Sequence, residues 1–230
     1  MKRRRTDRVL GIDGAGKRGW VGIVIDDAGF VGAWVGSLRE VVASAGHVGA
    51  IGIDVPIGTL PAGDRRCADV EARGFVGPAR AASVFPAPPT EALAAHSYAD
   101  ANAALAGLDA PKMSKQTWAI VPKVVEAADV AAADKRVFEV HPEVSFCALA
   151  GGHLRWSKKT WNGLLQRRHL LAGAGIEIPD VIAEVEGVAA DDVVDAAAAA
   201  WSARRFVAGA ARSLPDPPQQ SGGCRVGIWY

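Results

Sequence analysis

Cysteine is scarce in this sequence, and its placement excludes several kinds of protein. The 230 residues contain three cysteines, Cys67, Cys147 and Cys224. Because they are odd in number and far apart, they predict neither a disulfide framework nor a Cys-x-x-Cys zinc or redox pair. We therefore expect reduced thiols, as in a cytoplasmic protein.

Long apolar runs and an excess of one charge are also missing. No stretch of about 18 apolar residues occurs, so we expect no membrane span. The apolar run after the basic start is only Val9 to Ile12, too short for a signal peptide. Lys and Arg number 26 against 25 Asp and Glu, so attraction to nucleic acid must come from a local patch. The length and the 50% hydrophobic content predict one domain over residues 1–230.

The segment Gly11 to Lys17 matches seven positions of a nucleotide-binding P-loop, but the features that the P-loop needs next are absent. Arg18 stands where the motif requires a Ser or Thr to bind magnesium. An apolar strand at 20–25 follows instead of a helix, whose N-terminus would face the phosphates. We interpret the segment as a tight hairpin turn, with Lys17 and Arg18 as candidate phosphate contacts at its rim.

The order of the predicted elements indicates an α/β fold. Strands are predicted at 9–13, 20–25, 30–35, 50–56, 136–141 and 225–230, and helices at 38–45, 64–73, 90–105, 116–133, 142–150, 158–172 and 190–211. Residues 59–135 read as a mainly helical insertion or cap. This order predicts a mixed sheet, with three antiparallel strands and then parallel strands, flanked by helices.

Aspartates fall at informative places in this scheme. Asp13 ends the first strand, Asp54 ends the fourth, and Asp192 and Asp195 share one face of the last helix. If the two strands are neighbours, these four carboxylates cluster, and divalent cations must neutralise them. Oxygen ligands alone select Mg²⁺ or Mn²⁺, and two such ions can hydrolyse a phosphodiester. Asp191 is the acid that we expect to cap the last helix.

A second polar cluster and two basic stretches accompany these acids. Glu139 and His141 share one side of a strand, and Glu143 follows, so they are candidates for ligand, base or supporting residue. Two stretches of the chain contain Lys and Arg residues with no acid between them, and tryptophans are interleaved in the first. This composition is typical of a surface that binds phosphates and stacks bases. A solvated helix face explains it as well. The first stretch contains Arg155, Trp156, Lys158, Lys159, Trp161, Arg167 and Arg168. The second contains Lys112, Lys115 and Lys123, and Arg73 and Arg80 are candidates to join it.

A resemblance to a known family covers most of the chain. It rests on the segments GIDGAGKRGWVGIVID, IGIDVPIG, SKQTWAIVPKVVEAAD, VFEVHPEVSF, SKKTWNGLLQRR and ADDVVDAAAAAW. On these segments the chain is similar to a domain-of-unknown-function family of predicted nucleases with a ribonuclease-H-like fold. The resemblance implies a Mg²⁺- or Mn²⁺-dependent nuclease with Asp13, Asp54 and Asp192 or Asp195 as metal ligands. Glu139 is a further catalytic candidate from the strand pattern alone. In one respect the chain departs from ribonucleases H, because Glu40 lies too near the start of its helix to supply their glutamate.

Two other functions compete with the nuclease. A nucleic-acid or nucleotide binding protein can keep this fold with little or no catalysis. A phosphotransferase of the actin and sugar-kinase type begins with a similar hairpin around an aspartate. It usually pairs two copies of the fold, however, and needs further glycine-rich phosphate loops, which the sequence lacks.

Overall fold

A five-stranded sheet forms the centre of the computed structural model, which describes residues 8–221 and 224–230. The strands are β1 Val9–Gly14, β2 Trp20–Asp26, β3 Gly29–Gly36, β4 Ile51–Ile53 and β5 Val137–Glu139. Their order is β3-β2-β1-β4-β5, with β2 antiparallel to β1 and β3, and with β1, β4 and β5 parallel. The predicted mixed sheet is confirmed, and the arrangement is consistent with a ribonuclease-H-like fold.

Seven α-helices accompany the sheet in the described part of the chain. They are α1 Leu38–Ser44, α2 Cys67–Val76, α3 Tyr98–Ala106, α4 Lys115–Ala133, α5 Pro142–Ala150, α6 Trp161–Gly173 and α7 Ala190–Val207. Across residues 8–221 and 224–230, none of them combines the length and the apolar composition that a membrane crossing requires.

Side chains of β1 alternate between two cores, one on each face of the sheet. Leu10 and Ile12 pack with Leu38 of α1 and Val124 of α4. Val9 belongs to the core on the opposite face, which contains the buried alanines of α7. Because the side-chain period of a strand is two, Asp13 also faces α7.

Glycines in β1 and β4 let α7 lie directly on the sheet. A Cβ atom on Gly11 would stand 2.0 Å from the backbone nitrogen of Ala200, and one on Gly52 would stand 2.9 Å from the carbonyl oxygen of Ala199. The side of α7 that meets these strands is built of alanines that are fully buried. This close approach brings the first turns of α7 within side-chain reach of the carboxyl ends of both strands.

The segment 59–135 connects β4 to β5 and contains α2, α3 and α4 with no strand. Helix α4 is shared between two environments. Val124 and Ala127 pack against the sheet, whereas Val121 joins a small separate core with Leu105 of α3. The second half of α4 is therefore part of the central core, and its first half carries the helical cap.

The helix predicted over 90–105 is shorter than the sequence pattern indicates. A three-ten helix at Thr90–Ala92 comes first, and α3 begins only at Tyr98. The interruption has a local cause, because the Ser97 side chain accepts a hydrogen bond from the backbone nitrogen of Asp100 at 3.1 Å. A serine whose side chain caps the first turn defines the start of a helix more strongly than composition does.

The helix predicted over 158–172 also begins late. Thr160 Oγ1 accepts a hydrogen bond from the backbone nitrogen of Gly163 at 3.1 Å, and α6 starts at Trp161. Lys158 therefore lies in the loop before the helix and not on its surface. This correction matters for the site, since a loop residue can point in a direction that the helix would not allow.

A hairpin closes the described fold, and its first strand was not predicted. Strand β6, Ser213–Ser221, pairs antiparallel with β7, Cys224–Trp229. The latter corresponds to the strand expected at 225–230, and a bridge between Val140 and Trp229 attaches it beside β5. Helix α7 ends before the hairpin, at Val207, short of the predicted 211.

Candidate active site

The carboxyl groups of Asp13 and Asp54 lie together at one edge of the sheet. Ile12 of β1 is paired with Ile53 of β4, and the backbone nitrogen of Asp54 donates to the carbonyl oxygen of Ile12 at 2.9 Å. The next residue of each strand is thus an aspartate on the α7 side. Both carboxyl groups line the same cavity. The structure therefore brings these two predicted residues together in its wall.

Asp195 of α7 completes this group. It is 1% exposed, and it lines the same cavity as Asp13 and Asp54, with a volume of about 310 Å³. Lys158 binds its Oδ2 atom. Its Oδ1 atom is buried, and within the described residues it accepts no hydrogen bond. A buried carboxylate oxygen of this kind marks a position for a ligand or an ordered water.

Burial raises the pKa of all three carboxyl groups, and the charges of neighbouring acids add to the rise. The pKa of Asp13 lies well above its ordinary value, first because of burial and then because of the charges of Asp54 and Asp195. Burial also raises the pKa of Asp54, against the opposing effects of His141 and Lys158. Burial raises the pKa of Asp195 to about 7, although Lys158 opposes the rise. A bound divalent cation would favour the ionised form of each group.

Lys158 is the cation that the fold itself places among these acids. Its Nζ atom binds Asp195 and lies 3.6 Å from Oδ2 of Asp191. Burial lowers the pKa of Lys158, but the charges of Asp195, Asp13 and Asp54 raise it more, so the net shift is upward. The amino group therefore stays charged at every physiological pH.

The two acids at the start of α7 differ in their surroundings. The prediction that Asp191 caps the helix is wrong, because the N-cap residue is Ala189, and no side chain bonds to the first turn there. Asp191 instead lies 2.6 Å from Nζ of Lys159. Asp192 is half-buried, and it does not line the cavity. Its charge still raises the pKa of Asp13, so it lies at the rim of the group.

Glu139 lines the cavity but already has a partner. Arg66 binds both Glu139 and Asp69, and all three side chains are at most 11% exposed. The backbone nitrogen of Ile57 donates to Glu139 at 2.7 Å. Burial raises the pKa of Glu139 to about 7, and Arg66 opposes that rise. Glu139 therefore holds the loop after β4 in place. Arg66 and Asp69 could not be predicted as partners of Glu139, because 73 residues separate Arg66 from Glu139 and no local pattern links them.

Glu143 and Arg167 form a second buried ion pair. Nη2 of Arg167 lies 2.6 and 2.8 Å from the two oxygens of Glu143, and Arg167 is 0% exposed. Its Nη1 atom donates to the carbonyl oxygens of Trp156 and Gly163. Arg167 therefore does not reach the surface where we expected it to contact substrate. It instead fixes Glu143 and the loop that carries Lys158.

His141 lies at the start of α5 and lines the cavity. Its Nε2 atom is 3.3 Å from the carbonyl oxygen of Ser83. Since a carbonyl oxygen only accepts, this contact assigns the proton to Nε2 and leaves Nδ1 as an acceptor. Nδ1 is buried and has no hydrogen-bond partner in the described part of the chain.

Lys123 of α4 closes the cavity on the other side. Its Nζ atom donates to the carbonyl oxygen of Gly19 at 2.6 Å and lies 3.9 Å from the centre of the Trp20 ring. It thereby fixes the loop that follows Asp13. That loop contains a three-ten helix, Gly16–Arg18, and leads straight into β2. Because a strand and not a helix follows the loop, it is not a P-loop, as the sequence predicts.

The remaining predicted cations do not line this cavity. Arg73 is exposed and lines a neighbouring cavity, and Arg80 is half-buried. The other cations are exposed or partly exposed on the surface: Lys17, Arg18, Lys112, Lys115, Arg155, Lys159 and Arg168. Trp156 and Trp161 are 37% and 71% exposed. The basic surface is thus dispersed, and of the predicted cations, all of which the structure describes, only Lys123 and Lys158 line the cavity of Asp13, Asp54 and Asp195.

Comparisons with known proteins show a family and no more. A family model described as a protein of unknown function (DUF429) matches residues 11–220. No curated protein matches the chain, and no solved structure does.

Proposed function

We propose a function for this chain, which belongs to the DUF429 family of proteins of unknown function: it is a divalent-metal-dependent nuclease that hydrolyses phosphodiester bonds. One observation carries the proposal. Asp13, Asp54 and Asp195 come from two adjacent parallel strands and a helix packed on them, and they line one cavity.

The donor set suits Mg²⁺ or Mn²⁺. Carboxylate oxygens are the ligands that these ions prefer, and the Oδ1 atom of Asp195 is buried with no hydrogen-bond partner in the described residues. The net charge is −2 when Asp13, Asp54, Asp195 and Lys158 are all ionised, and one divalent cation balances it. Within residues 8–221 and 224–230, no three acidic, His or Cys side chains are arranged to hold an ion as they stand. Binding therefore requires Lys158 to move away from Asp195.

A bound divalent ion would supply Lewis-acid activation of water and stabilisation of the leaving oxygen. Asp13, Asp54 and Asp195 would hold it, and Asp192 lies close enough at the rim to take part through water. Lys158, released from Asp195, has the reach to bind a non-bridging oxygen of the phosphate. Lys123 adds a second positive charge on the opposite wall of the cavity.

His141 is the residue that we assign as general base. Its Nδ1 atom is the free acceptor of the ring, and the Ser83 carbonyl holds the opposite nitrogen in the protonated form. A water in the cavity can donate its proton to Nδ1 as it attacks phosphorus. Substitution of His141 by glutamine should therefore lower hydrolysis at neutral pH by roughly 10²- to 10⁴-fold without weakening Mn²⁺ binding.

Cleavage assays with Asp13→Asn test the proposal. The substrates are single- and double-stranded DNA and RNA and a four-way junction, each with Mn²⁺, Mg²⁺ or EDTA. We expect hydrolysis by the wild type with either ion, and loss of about 100-fold or more in the variant. Asp129→Asn is the matched control, because Asp129 is exposed on α4. If no substrate is hydrolysed, or if both variants are equally active, the proposal is wrong.

A second candidate is a nucleic-acid or nucleotide binding protein with little or no catalysis. The ion pair between Lys158 and Asp195 favours it, since an internal cation can stabilise the acids without a metal. Such a protein would bind substrate equally well in EDTA and in Mg²⁺ and would show no turnover. The same substrates, followed by binding in place of cleavage, separate the two candidates.

A further inference from the structure

A second cavity adjoins the candidate active site, and Phe85 lines both. The second cavity has a volume of about 500 Å³ and lies among the proline-rich loop 83–89, the end of α3 and the start of α4. Phe85 is 39% exposed. An exposed phenylalanine between two cavities is a surface that a planar group can stack against.

The charge of the second cavity is the opposite of that of the first. Arg73 and Lys112 contribute to its wall, and no carboxylate lines it among the residues that the structure describes. Polar side chains at the start of α4, including Ser114 and Gln116, supply hydrogen-bonding groups. A ligand that combines an aromatic ring, a polar edge and a negative charge therefore fits this cavity.

The loop that presents Phe85 is fixed on both sides. The backbone nitrogen of Ala87 donates to Oδ2 of Asp69 at 2.8 Å. Nε of Arg73 donates to the carbonyl oxygen of Val84 at 2.9 Å. The phenyl ring is thus held in position before any ligand arrives, so binding costs little ordering entropy in this loop.

We propose that the second cavity binds one nucleotide of a single-stranded nucleic acid, with its base stacked on Phe85 and its phosphate near Arg73 and Lys112. The neighbouring phosphodiester then lies at Asp13 and Asp54. This inference rests on the proposed function, since it places the substrate relative to that site. A single strand should bind better than a duplex, because a paired base must give up its pairing and stacking before it can meet the ring.

Binding measured without metal tests the inference apart from catalysis. Fluorescence anisotropy follows labelled single-stranded DNA and RNA hexamers and the matching duplexes in EDTA, with wild type and Phe85→Ala. Loss of base stacking weakens binding by about 5- to 150-fold, so we expect a change of this size for the single strands. The half-exposed position of Phe85 predicts an unchanged unfolding temperature.

Four further variants refine the test. Phe85→Trp should keep single-strand affinity, whereas Phe85→Leu should lose it, because leucine has no ring to stack. Trp161→Ala is the control, since Trp161 is 71% exposed and lines neither cavity. Lys112→Ala should reduce the salt slope of log K by about 0.7, the value for one lost contact to a single strand.

Clear outcomes overturn the inference. It is wrong if Phe85→Ala binds as tightly as the wild type, if the duplexes bind as tightly as the single strands, or if no hexamer binds in EDTA. Equal losses in Trp161→Ala and Phe85→Ala would also contradict it. Failure of the proposed function has a different signature: Phe85-dependent binding would remain, and no hydrolysis would follow addition of Mn²⁺.

Discussion

Replacement of Asp195 by asparagine should remove part of the pH dependence of stability in the metal-free protein. Asp195 is 1% exposed, and burial raises its pKa to about 7, against about 3.9 in an unfolded chain. The folded state therefore binds this proton more tightly than the unfolded state does. The resulting stability is present at low pH and is lost as the pH rises toward 7. Between pH 5 and pH 8 the loss from this group is about 2 to 3 kcal/mol.

Unfolding by urea and by heat, in EDTA at pH 5 and pH 8, measures this loss. A change of 2 to 3 kcal/mol corresponds to a shift of roughly 4 to 12 °C in unfolding temperature for a domain of this size. From pH 5 to pH 8, we expect the free energy of unfolding to fall by about 2 to 3 kcal/mol more in the wild type than in Asp195→Asn. The ion pair to Lys158 forms only as Asp195 ionises, and the pKa of about 7 already includes its effect. Equal pH dependence in the two proteins would refute the reasoning.

Three other predictions test the packing and the charges around the site. Arg167→Met should cost about 3 to 5 kcal/mol in urea unfolding, because it leaves Glu143 buried and unpaired, and adding Glu143→Leu should restore most of it. An equally stable single variant would contradict the assigned ion pair. Gly11→Ala should destabilise by about 1 to 3 kcal/mol or more, since its Cβ would overlap the backbone of α7. Gly74→Ala, with open space around it, should be neutral or stabilising by up to about 1 kcal/mol. Lys158→Met should tighten Mn²⁺ binding by about tenfold or more in calorimetry, because the competing cation is gone; unchanged affinity would contradict its position.

The sheet and the aspartate pair were predictable because both depend on local patterns. An apolar run that ends in an acid, at Asp13 and again at Asp54, indicates two buried strands with polar ends. The hairpin around Gly16 and the later parallel strands then predict that these strands are neighbours. The place of α7 follows from the same sequence, since Gly11 and a run of alanines are what a close helix–strand contact requires.

Partners far apart in the sequence could not be predicted. Arg167 looked like part of a basic surface, yet it is buried, because Glu143 on another helix neutralises it. Glu139 looked like a free acid until the fold brought Arg66 to it. Strand β6 was missed because its three prolines argue against a strand, although they are tolerated in a two-stranded hairpin.

Crystals soaked in Mn²⁺ and measured for anomalous scattering would test the central claim most directly. We predict a Mn²⁺ peak about 2.0 to 2.3 Å from carboxylate oxygens of Asp13 and Asp54, with Asp195 freed from Lys158 to join them. The peak should be absent in Asp13→Asn. A wild-type crystal with no peak between these carboxylates, or with Lys158 still bound to Asp195, would contradict the metal-dependent mechanism.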